Sequence, residues 1–387
     1  MPHLSSSRTA VVATLAVAAL LIFLSAMVII PPFTMALFAL AVGAREYSPF
    51  LAIFDLLWCL PVNRALRGRG AVRGAMLTLL VIAALVAVRP LTQYTRVAAA
   101  AAEQIGNVDG PASFSLWTAI RGLPSSRNVD ERTINYPAAD LTRLSMRFYT
   151  PTPHMTRPVV IVIYGGAWRG GDPSQAANVS RALAARGYAV AAIDYRHAPQ
   201  SHFPAQLDDI RLAMLILRDS ADAWGIDRDR VAVLGRSSGG HLAELSSYAE
   251  GALPVKAVVA LYAPYNLVEG YRNLPFPNPI DVRAVLHDFM NGTPEEKPRN
   301  YRMASPSSWV HRGLPPTLLV YAGRDHVVKP EFNRTAAADL RSANVPVVAV
   351  ELPWAEHGFD LAPAGLGGQL AFKVIADFLD RELMHKF

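Results

Sequence analysis

A serine lies between glycines where an apolar, strand-like pattern changes to a helical one. The stretch VAVLG runs into Arg236-Ser237-Ser238-Gly239, and HLAEL follows one residue later. Glycines let such a turn bend sharply, so that the serine hydroxyl projects beyond the end of the strand. The N-terminus of the following helix favours negative charge that develops there. The pattern predicts a nucleophile at Ser237, although by itself it does not differ from an ordinary glycine-rich turn.

Two later motifs supply the base and the orienting carboxylate that a nucleophilic serine needs. Asp325 follows the apolar run LLVYAG, and His357 follows the apolar run VVAVELP. His326 is a second candidate base, but it adjoins the candidate acid. Three other acids lie too close to His357 in sequence to come from a separate strand-end loop: Glu351, Glu356 and Asp360. We therefore predict that Ser237, Asp325 and His357 are catalytic.

Backbone amides for a negatively charged reaction intermediate are predicted in the segment YGGAWRGGD, which begins at Tyr164. Acyl transfer requires N–H donors aimed at the oxygen that becomes an oxyanion. Glycine lets the backbone come close to the reacting carbonyl. We expect the donors to be the amides of Gly166 and Ala167, together with that of Ser238 at the start of the helix after the serine.

These motifs together resemble the α/β-hydrolase superfamily, and within it the branch of hormone-sensitive-lipase-like carboxylesterases and prenylcysteine methylesterases. The resemblance extends from about Leu141 to Leu383 and rests on YGGAW, DYRHAP with a following FPA, GRSSGGHLA, GRDHVV and EHGF. It implies a serine esterase that needs no cofactor and acts on a small-molecule or lipid ester. Trp168 and Tyr164, in the oxyanion segment, are then candidate substrate-binding residues.

Two residues depart from the pattern of that branch. Tyr164 stands where the branch has a histidine that braces the oxyanion segment, so we expect the tyrosine to brace it differently. Arg236 places a positive charge next to Ser237, where many relatives have His or Asp. We expect it either to pair with an acid such as Asp194 or to meet a negatively charged substrate.

The elements that must position these residues alternate between strand and helix patterns from about Leu141. Continuous apolar runs such as PVVIVI, AVAAI and PTLLVYA are separated by helical segments. This order predicts an α/β-hydrolase fold with a mostly parallel sheet, whose chemistry lies at the carboxyl ends of the strands. The aromatic-rich insertion from Pro264 to Val310 is expected either to cover the active face as a lid or to be one crossover helix with long loops.

The first ninety residues are predicted to be a membrane anchor. Thr9–Ile30 and Ala71–Val88 are apolar, and roughly 20 such residues cross a bilayer. Phe33–Val62 contains charges and is interpreted as a broken span or a re-entrant segment. The arginines from Arg64 to Arg73 are expected to keep their loop in the cytoplasm. With three transmembrane helices, everything after Arg89 then lies outside the cytoplasm; with two, if Phe33–Val62 lies on the surface, it lies in the cytoplasm.

Composition limits the remaining functions of the 387-residue chain, which is 52% hydrophobic with a formal net charge of +6. No basic stripe with interleaved aromatics indicates nucleic acid, and no cluster has metal-ligand spacing. The predicted parts are an anchor at 1–90, a linker or docking segment at 91–140 and a catalytic domain at 141–387. We predict a multi-pass membrane protein that is a serine carboxylic-ester hydrolase; an amidase or formamidase of the same fold, or a non-catalytic membrane scaffold, are the alternatives.

Overall fold

Eight strands form one sheet in the computed structural model of the chain, which describes residues 8–106, 110–124, 128–153 and 155–384. The strands are β1 (Val129–Pro137), β2 (Arg143–Pro151), β3 (Arg157–Ile163), β4 (Ala189–Ile193), β5 (Ile226–Arg236), β6 (Ala257–Leu261), β7 (Thr317–Ala322) and β8 (Val347–Leu352). Their order across the sheet is β1-β2-β4-β3-β5-β6-β7-β8. Strand β2 runs antiparallel to both neighbours, and the strands from β4 to β8 are parallel. The predicted mostly parallel α/β fold is confirmed.

The helices of the described residues surround this sheet and precede it. They are α1 (Arg8–Ala26), α2 (Met35–Glu46), α3 (Ser48–Ala65), α4 (Gly70–Ile105), α5 (Leu116–Arg121), α6 (Ala177–Ala185), α7 (Ala205–Asp219), α8 (Ala221–Trp224), α9 (Ser238–Tyr248), α10 (Leu267–Arg272), α11 (Val282–Met290), α12 (Pro298–Ala304), α13 (Pro330–Ser342) and α14 (Leu366–Leu379).

Burial explains why the central strands could be recognised from their composition. Every residue of β4, β6 and β7 is buried, so these strands are apolar throughout rather than alternating. Helices cover both faces of such a sheet, and the turns after parallel strands meet at one edge. The loops that follow β3, β5, β7 and β8 therefore converge at the carboxyl edge of the sheet.

Strand β1 lies within the segment predicted as a linker, so the sheet begins before the predicted domain boundary at 141. It pairs with β2 in register from Val129 opposite Pro151 to Pro137 opposite Arg143. Most of its residues are exposed, because it is the edge strand. The sequence VDERTINYP therefore lacks the apolar pattern that identifies a strand.

The helices α1, α3 and α4 pack together into a bundle at the N-terminal end of the chain. Its small core contains Ala18, Val62, Leu66 and Leu80. Helices α1 and α4 are each long and apolar enough to cross a membrane, and α2 with α3 meets the same criterion only as a pair bent by 82°. The bend lies where the sequence indicated a broken span or a re-entrant segment.

Helix α4 joins the bundle to the domain that contains the sheet. Its 36 residues extend over about 54 Å at the usual rise per residue, which exceeds the thickness of a bilayer core. The C-terminal part buries Tyr94, Ala98, Ala101 and Ile105 in the main hydrophobic core. The helix that contains the predicted span Ala71–Val88 thus continues beyond it and ends inside the domain.

Candidate active site

Ser237 lies in a sharp turn between β5 and α9. Its backbone has φ 51° and ψ −123°, a left-handed conformation that non-glycine residues rarely adopt. Two glycines make the turn possible. A Cβ atom at Gly235 would come within 2.0 Å of the carbonyl oxygen of Gly239, and a Cβ at Gly239 within 2.3 Å of that of Ile163. The glycines of the motif are therefore required by backbone contacts, and the geometry is that of a nucleophile elbow.

Hydrogen bonds join the serine to the predicted base and acid. Nε2 of His357 lies 2.8 Å from Oγ of Ser237, and Nδ1 lies 2.8 Å from Oδ2 of Asp325. His357 follows β8 and Asp325 follows β7, so both loops lie at the carboxyl edge of the sheet. The structure thus brings together the three side chains that the sequence order indicated.

Asp325 is held by its own loop as well as by His357. Its Oδ1 accepts hydrogen bonds from the amides of Val327 and Val328, at 2.8 and 2.7 Å. Burial raises the pKa of Asp325 above its usual value, while the charge and hydrogen bond of His357 act in the opposite direction. These contacts leave Oδ2 as the oxygen that faces the imidazole.

The competing acids and the competing base have other partners. His326 Nδ1 contacts Glu356, at 2.7 Å, rather than the serine. Glu351 pairs with Arg334 on α13. Asp360 pairs with Arg236 at 2.9 Å and also accepts a hydrogen bond from the hydroxyl of Tyr262.

Arg236 was expected either to pair with an acid or to meet a negatively charged substrate, and the structure pairs it with Asp360. Both side chains are almost fully buried, so the ion pair is part of the interior. Asp194, the acid suggested from the sequence, instead accepts a hydrogen bond from Tyr164. Arg236 does line the cavity beside Ser237, but its charge is already compensated there.

The oxyanion segment adopts a tight left-handed loop after β3. Gly166, Ala167 and Trp168 have φ of 149°, 55° and 56°. A Cβ at Gly166 would lie 1.9 Å from the carbonyl oxygen of Gly170, so only glycine fits there. Within the described residues, no backbone carbonyl or side chain accepts a hydrogen bond from the amides of Gly166 and Ala167. Both residues line the same cavity as Ser237.

Ser238 begins helix α9, so its amide is one of those that a helix leaves without an intrahelical acceptor. Ser238 also lines the cavity, next to Ser237. The N-terminal end of a helix dipole stabilises nearby negative charge. The predicted donor residues Gly166, Ala167 and Ser238 therefore line the same cavity as Ser237.

Tyr164 does not line this cavity, which differs from its prediction as a substrate-binding residue. Its ring is buried and stacks on Tyr195 with a centroid separation of 4.5 Å. Its hydroxyl lies 2.6 Å from Asp194 and 2.8 Å from Nε2 of His197. A Cβ at Gly171 would meet the ring at 2.5 Å, so the oxyanion loop folds directly onto it. The tyrosine braces that loop from behind.

An apolar cavity of about 440 Å³ opens at Ser237. Trp168 lines it, as predicted for a substrate-binding residue, and stacks on Phe289 of α11 at 4.3 Å. The insertion from Pro264 to Val310 folds into α10, α11 and α12 rather than one crossover helix. Apolar side chains from the insertion and from the loop and helix after β7 complete the lining: Leu267, Ile280, Val285, Leu286, Val328 and Phe332. A larger cavity, of about 530 Å³ near β1, contains none of the candidate catalytic residues.

The N-terminal region also contributes to the cavity, which sequence reasoning missed. Met35 and Phe38 of α2 line it. Two buried charges, Arg45 and Glu46, end the same helix against the sheet domain, where Arg45 contacts Glu356. The signal was a pair of charges in an otherwise apolar segment, which the sequence alone relates to a membrane and not to a docking surface. Among the residues that the structure describes, no three His, Cys, Asp or Glu side chains form a group able to hold a metal ion.

Comparisons with known proteins find similar esterases, and the family match contains Ser237 and Asp325 but ends before His357. The family model described as BD-FAE matches residues 146–340. Esterase LipC of Mycobacterium tuberculosis is 32% identical over 293 residues, which cover 71% of this chain and 70% of that protein. A protein named "Probable isoprenylcysteine alpha-carbonyl methylesterase", from Arabidopsis thaliana, is 25% identical over 231 residues, which cover 55% of this chain and 54% of that protein.

Solved structures share the fold. A bacterial heroin esterase is 26% identical and superposes with a TM-score of 0.60, covering 68% of this chain and 88% of its own. An esterase of Pyrobaculum calidifontis is 26% identical with a TM-score of 0.59, covering 76% of this chain and 92% of its own. The family match begins after the N-terminal helices, so it does not extend to Met35, Phe38 or Arg45.

Proposed function

We propose a mechanism for a chain that belongs to the BD-FAE family and is a carboxylesterase of the α/β-hydrolase fold. In this proposal it is a membrane-anchored serine esterase with Ser237 as nucleophile, His357 as general base and Asp325 as the acid that orients the base. The observation that carries the proposal is the pair of 2.8 Å contacts that His357 makes with the other two side chains.

The reaction proceeds through an acyl-enzyme. Oγ of Ser237 attacks the ester carbonyl carbon while Nε2 of His357 takes its proton. The carbonyl electron pair moves to the oxygen, and the oxyanion is stabilised by the three loop and helix amides. His357 then gives the proton to the departing alcohol. Water, deprotonated by His357, then attacks the acyl carbon. The bond from that carbon to Oγ breaks, His357 returns the proton to Oγ of Ser237, and the carboxylic acid leaves. Asp325 stabilises the imidazolium in each half-reaction.

The substrate of this proposal is an ester with a long acyl chain, such as that of a membrane lipid. The support is the apolar lining of the cavity, since apolar surface favours hydrocarbon over a polar or charged group. Met35 and Phe38, which come from the N-terminal helices, form part of this lining. Among the described residues that line the cavity, Arg236 is the one Arg, Lys, Asp or Glu, and its pairing with Asp360 argues against an anionic acyl group.

The membrane part of the proposal has α1, α3 and α4 crossing the bilayer. Large apolar side chains are exposed on these helices, among them Leu20, Phe54, Leu57, Leu60, Ile82 and Leu85. Exposed apolar surface of this extent marks contact with lipid or another protein. Asp55 in α3 is buried and accepts a hydrogen bond from Ser25 of α1 at 2.7 Å, as expected for a polar group that faces the interior of a bundle.

Arg45 and Glu46, two of the charges in the segment Phe33–Val62, lie outside the bilayer in this proposal, because burying a charge in a bilayer is unfavourable. Arg45 and Glu46 contact the sheet domain, so in this proposal the end of α2 lies outside the hydrocarbon core, and α3 crosses the core as the longer arm of the bent α2–α3 pair. The arginines of the α3–α4 loop remain in the cytoplasm because short positively charged loops are rarely translocated. The catalytic domain then lies on the opposite side, outside the cytoplasm.

A series of p-nitrophenyl esters of increasing chain length tests the activity. The full-length protein is used in detergent micelles, because α2 supplies part of the cavity wall. We expect hydrolysis that depends on Ser237 and covalent labelling of Ser237 by an organophosphonate. A wild-type rate equal to that of Ser237→Ala, or labelling at another serine, would contradict the proposal.

A further inference from the structure

The end of helix α2 is fixed to the catalytic domain through two buried charges. Nη1 of Arg45 lies 2.5 Å from Oε2 of Glu356, and both side chains are fully buried. The same guanidinium donates to the carbonyl oxygens of Val28 and Ile30, so it also orders the chain between α1 and α2. Arg45 therefore links the end of the first apolar helix to the loop that contains His357.

Glu356 in turn holds the acid loop and the base loop together. Its Oε1 accepts hydrogen bonds from the amides of His326 and His357, at 2.8 and 3.1 Å. Its Oε2 contacts Nδ1 of His326 at 2.7 Å as well as Arg45. Burial favours a raised pKa for Glu356, but the His326 hydrogen bond and the charge of Arg45 lower the pKa below its ordinary value. The carboxylate thus stays ionised, with partners in both loops.

The surface that receives α2 is shaped for it. Oε2 of Glu46 accepts hydrogen bonds from the amides of Gly367 and Gly368, at 2.6 and 3.1 Å, at the start of α14. A Cβ at Gly365 would lie 2.6 Å from Cβ of Glu46, and a Cβ at Gly367 would lie 2.7 Å from its Oε1. The close approach at these glycines indicates a built contact between the N-terminal helices and the domain.

We propose that Arg45 is a positioning residue for His357, acting through Glu356, so that the N-terminal region is part of the catalytic unit and not only its tether. The proposal rests on the esterase function given above. Together with the hydrogen bond from His326, the charge of Arg45 keeps Glu356 ionised and in place. Glu356 fixes the backbone of His357 on one side and the residue after Asp325 on the other. Without Arg45, the buried carboxylate lacks its cationic partner, and the two loops lose their common anchor.

The effect of removing Arg45 should fall on turnover more than on binding. A displacement of about 1 Å in a catalytic group costs roughly 10²-fold in rate. We therefore expect Arg45→Met in the full-length protein to lower kcat for p-nitrophenyl acetate about 10²-fold, with little change in KM. Acetate is used because it does not fill the apolar cavity that Met35 and Phe38 line.

Three further variants separate positioning from general damage. Arg45→Lys keeps a cation for Glu356 and should recover most of the turnover. Arg334→Met removes an exposed arginine that pairs with Glu351 and does not contact Glu356, and should leave kcat within about twofold. Glu356→Gln should lower kcat as Arg45→Met does. The double variant Arg45→Met/Glu356→Gln should lose no more kcat than either single variant, because the effects of residues in one network are not additive.

The outcomes distinguish this inference from the function on which it rests. If the wild type hydrolyses no ester through Ser237, the proposed function fails first. If the wild type is active and Arg45→Met has wild-type kcat, the inference is wrong. Losses that multiply in the double variant, or a raised KM with normal kcat, also overturn it. Should Arg45→Met not fold, Arg45→Lys and Glu356→Gln give the same decision.

Discussion

Replacing Asp325 by asparagine tests the identity of the acid, because the structure fixes how the new amide must face. Oδ1 of Asp325 accepts hydrogen bonds from two backbone amides, those of Val327 and Val328, and only an oxygen can take that place. The NH₂ group of Asp325→Asn therefore points at Nδ1 of His357. That nitrogen must then be the acceptor, so the proton moves to Nε2, which can no longer take one from Ser237.

The expected loss in kcat is roughly 10⁴-fold, the cost of holding such an imidazole in the wrong tautomer, or about 5.4 kcal/mol in activation free energy. It is measured with p-nitrophenyl butyrate on the full-length protein, with organophosphonate labelling to count competent sites. Asp360→Asn is the matched control, because Asp360 is much closer to His357 in sequence than Asp325 is but pairs with Arg236. A loss below about tenfold for Asp325→Asn, or a larger one for Asp360→Asn, would refute the reasoning.

Four other predictions follow from the site and the bundle. Ser237→Ala should abolish ester hydrolysis at an unchanged melting temperature, and near-wild-type activity would exclude it as the nucleophile. Phe38→Ala should lower kcat/KM roughly tenfold for long-chain esters and little for acetate, because it removes apolar contact area from the cavity wall; an equal loss along the series would contradict the acyl site. Burial raises the pKa of Glu244 from 4.5 to about 8. The melting temperature of the wild type should therefore fall as the pH rises through that range, and the melting temperature of Glu244→Gln should change less. An equal change in both proteins would contradict this. Alkaline phosphatase should be inactive when fused after Gly70 and active when fused after Phe387. An inactive phosphatase fusion after Phe387, with fluorescence from green fluorescent protein fused at the same position, would put the esterase domain in the cytoplasm.

Local patterns were sufficient where local physics decides the structure. Strands β4, β6 and β7 are buried throughout, so their composition alone identifies them. Gly235 is required by a backbone contact with Gly239, which lies within a few residues of Ser237. The order of Ser237, Asp325 and His357 followed from the strand ends, and the structure brings the three side chains within hydrogen-bonding distance.

Contacts between distant parts of the chain could not be predicted in this way. The partner of Arg45 lies 311 positions away, and nothing near Arg45 in sequence indicates it. Tyr164 could be expected to brace its loop, but its bond to His197 depends on the packing of two separate loops. Strand β1 was missed because an edge strand is specified by its neighbour and not by an apolar face of its own.

The length of chain between Arg45 and Glu356 also has a consequence for biosynthesis. Ribosomes add about 5 to 20 residues per second, so the 311 positions between these partners take about 15 to 60 s to make. During that time α2 has already emerged, but its receiving surface does not yet exist, and both of its charges must remain hydrated. The contact between Arg45 and Glu356 therefore forms only after the last strand is made, so a chain that is inserted and transported as proposed has no assembled hydrolytic centre during that time.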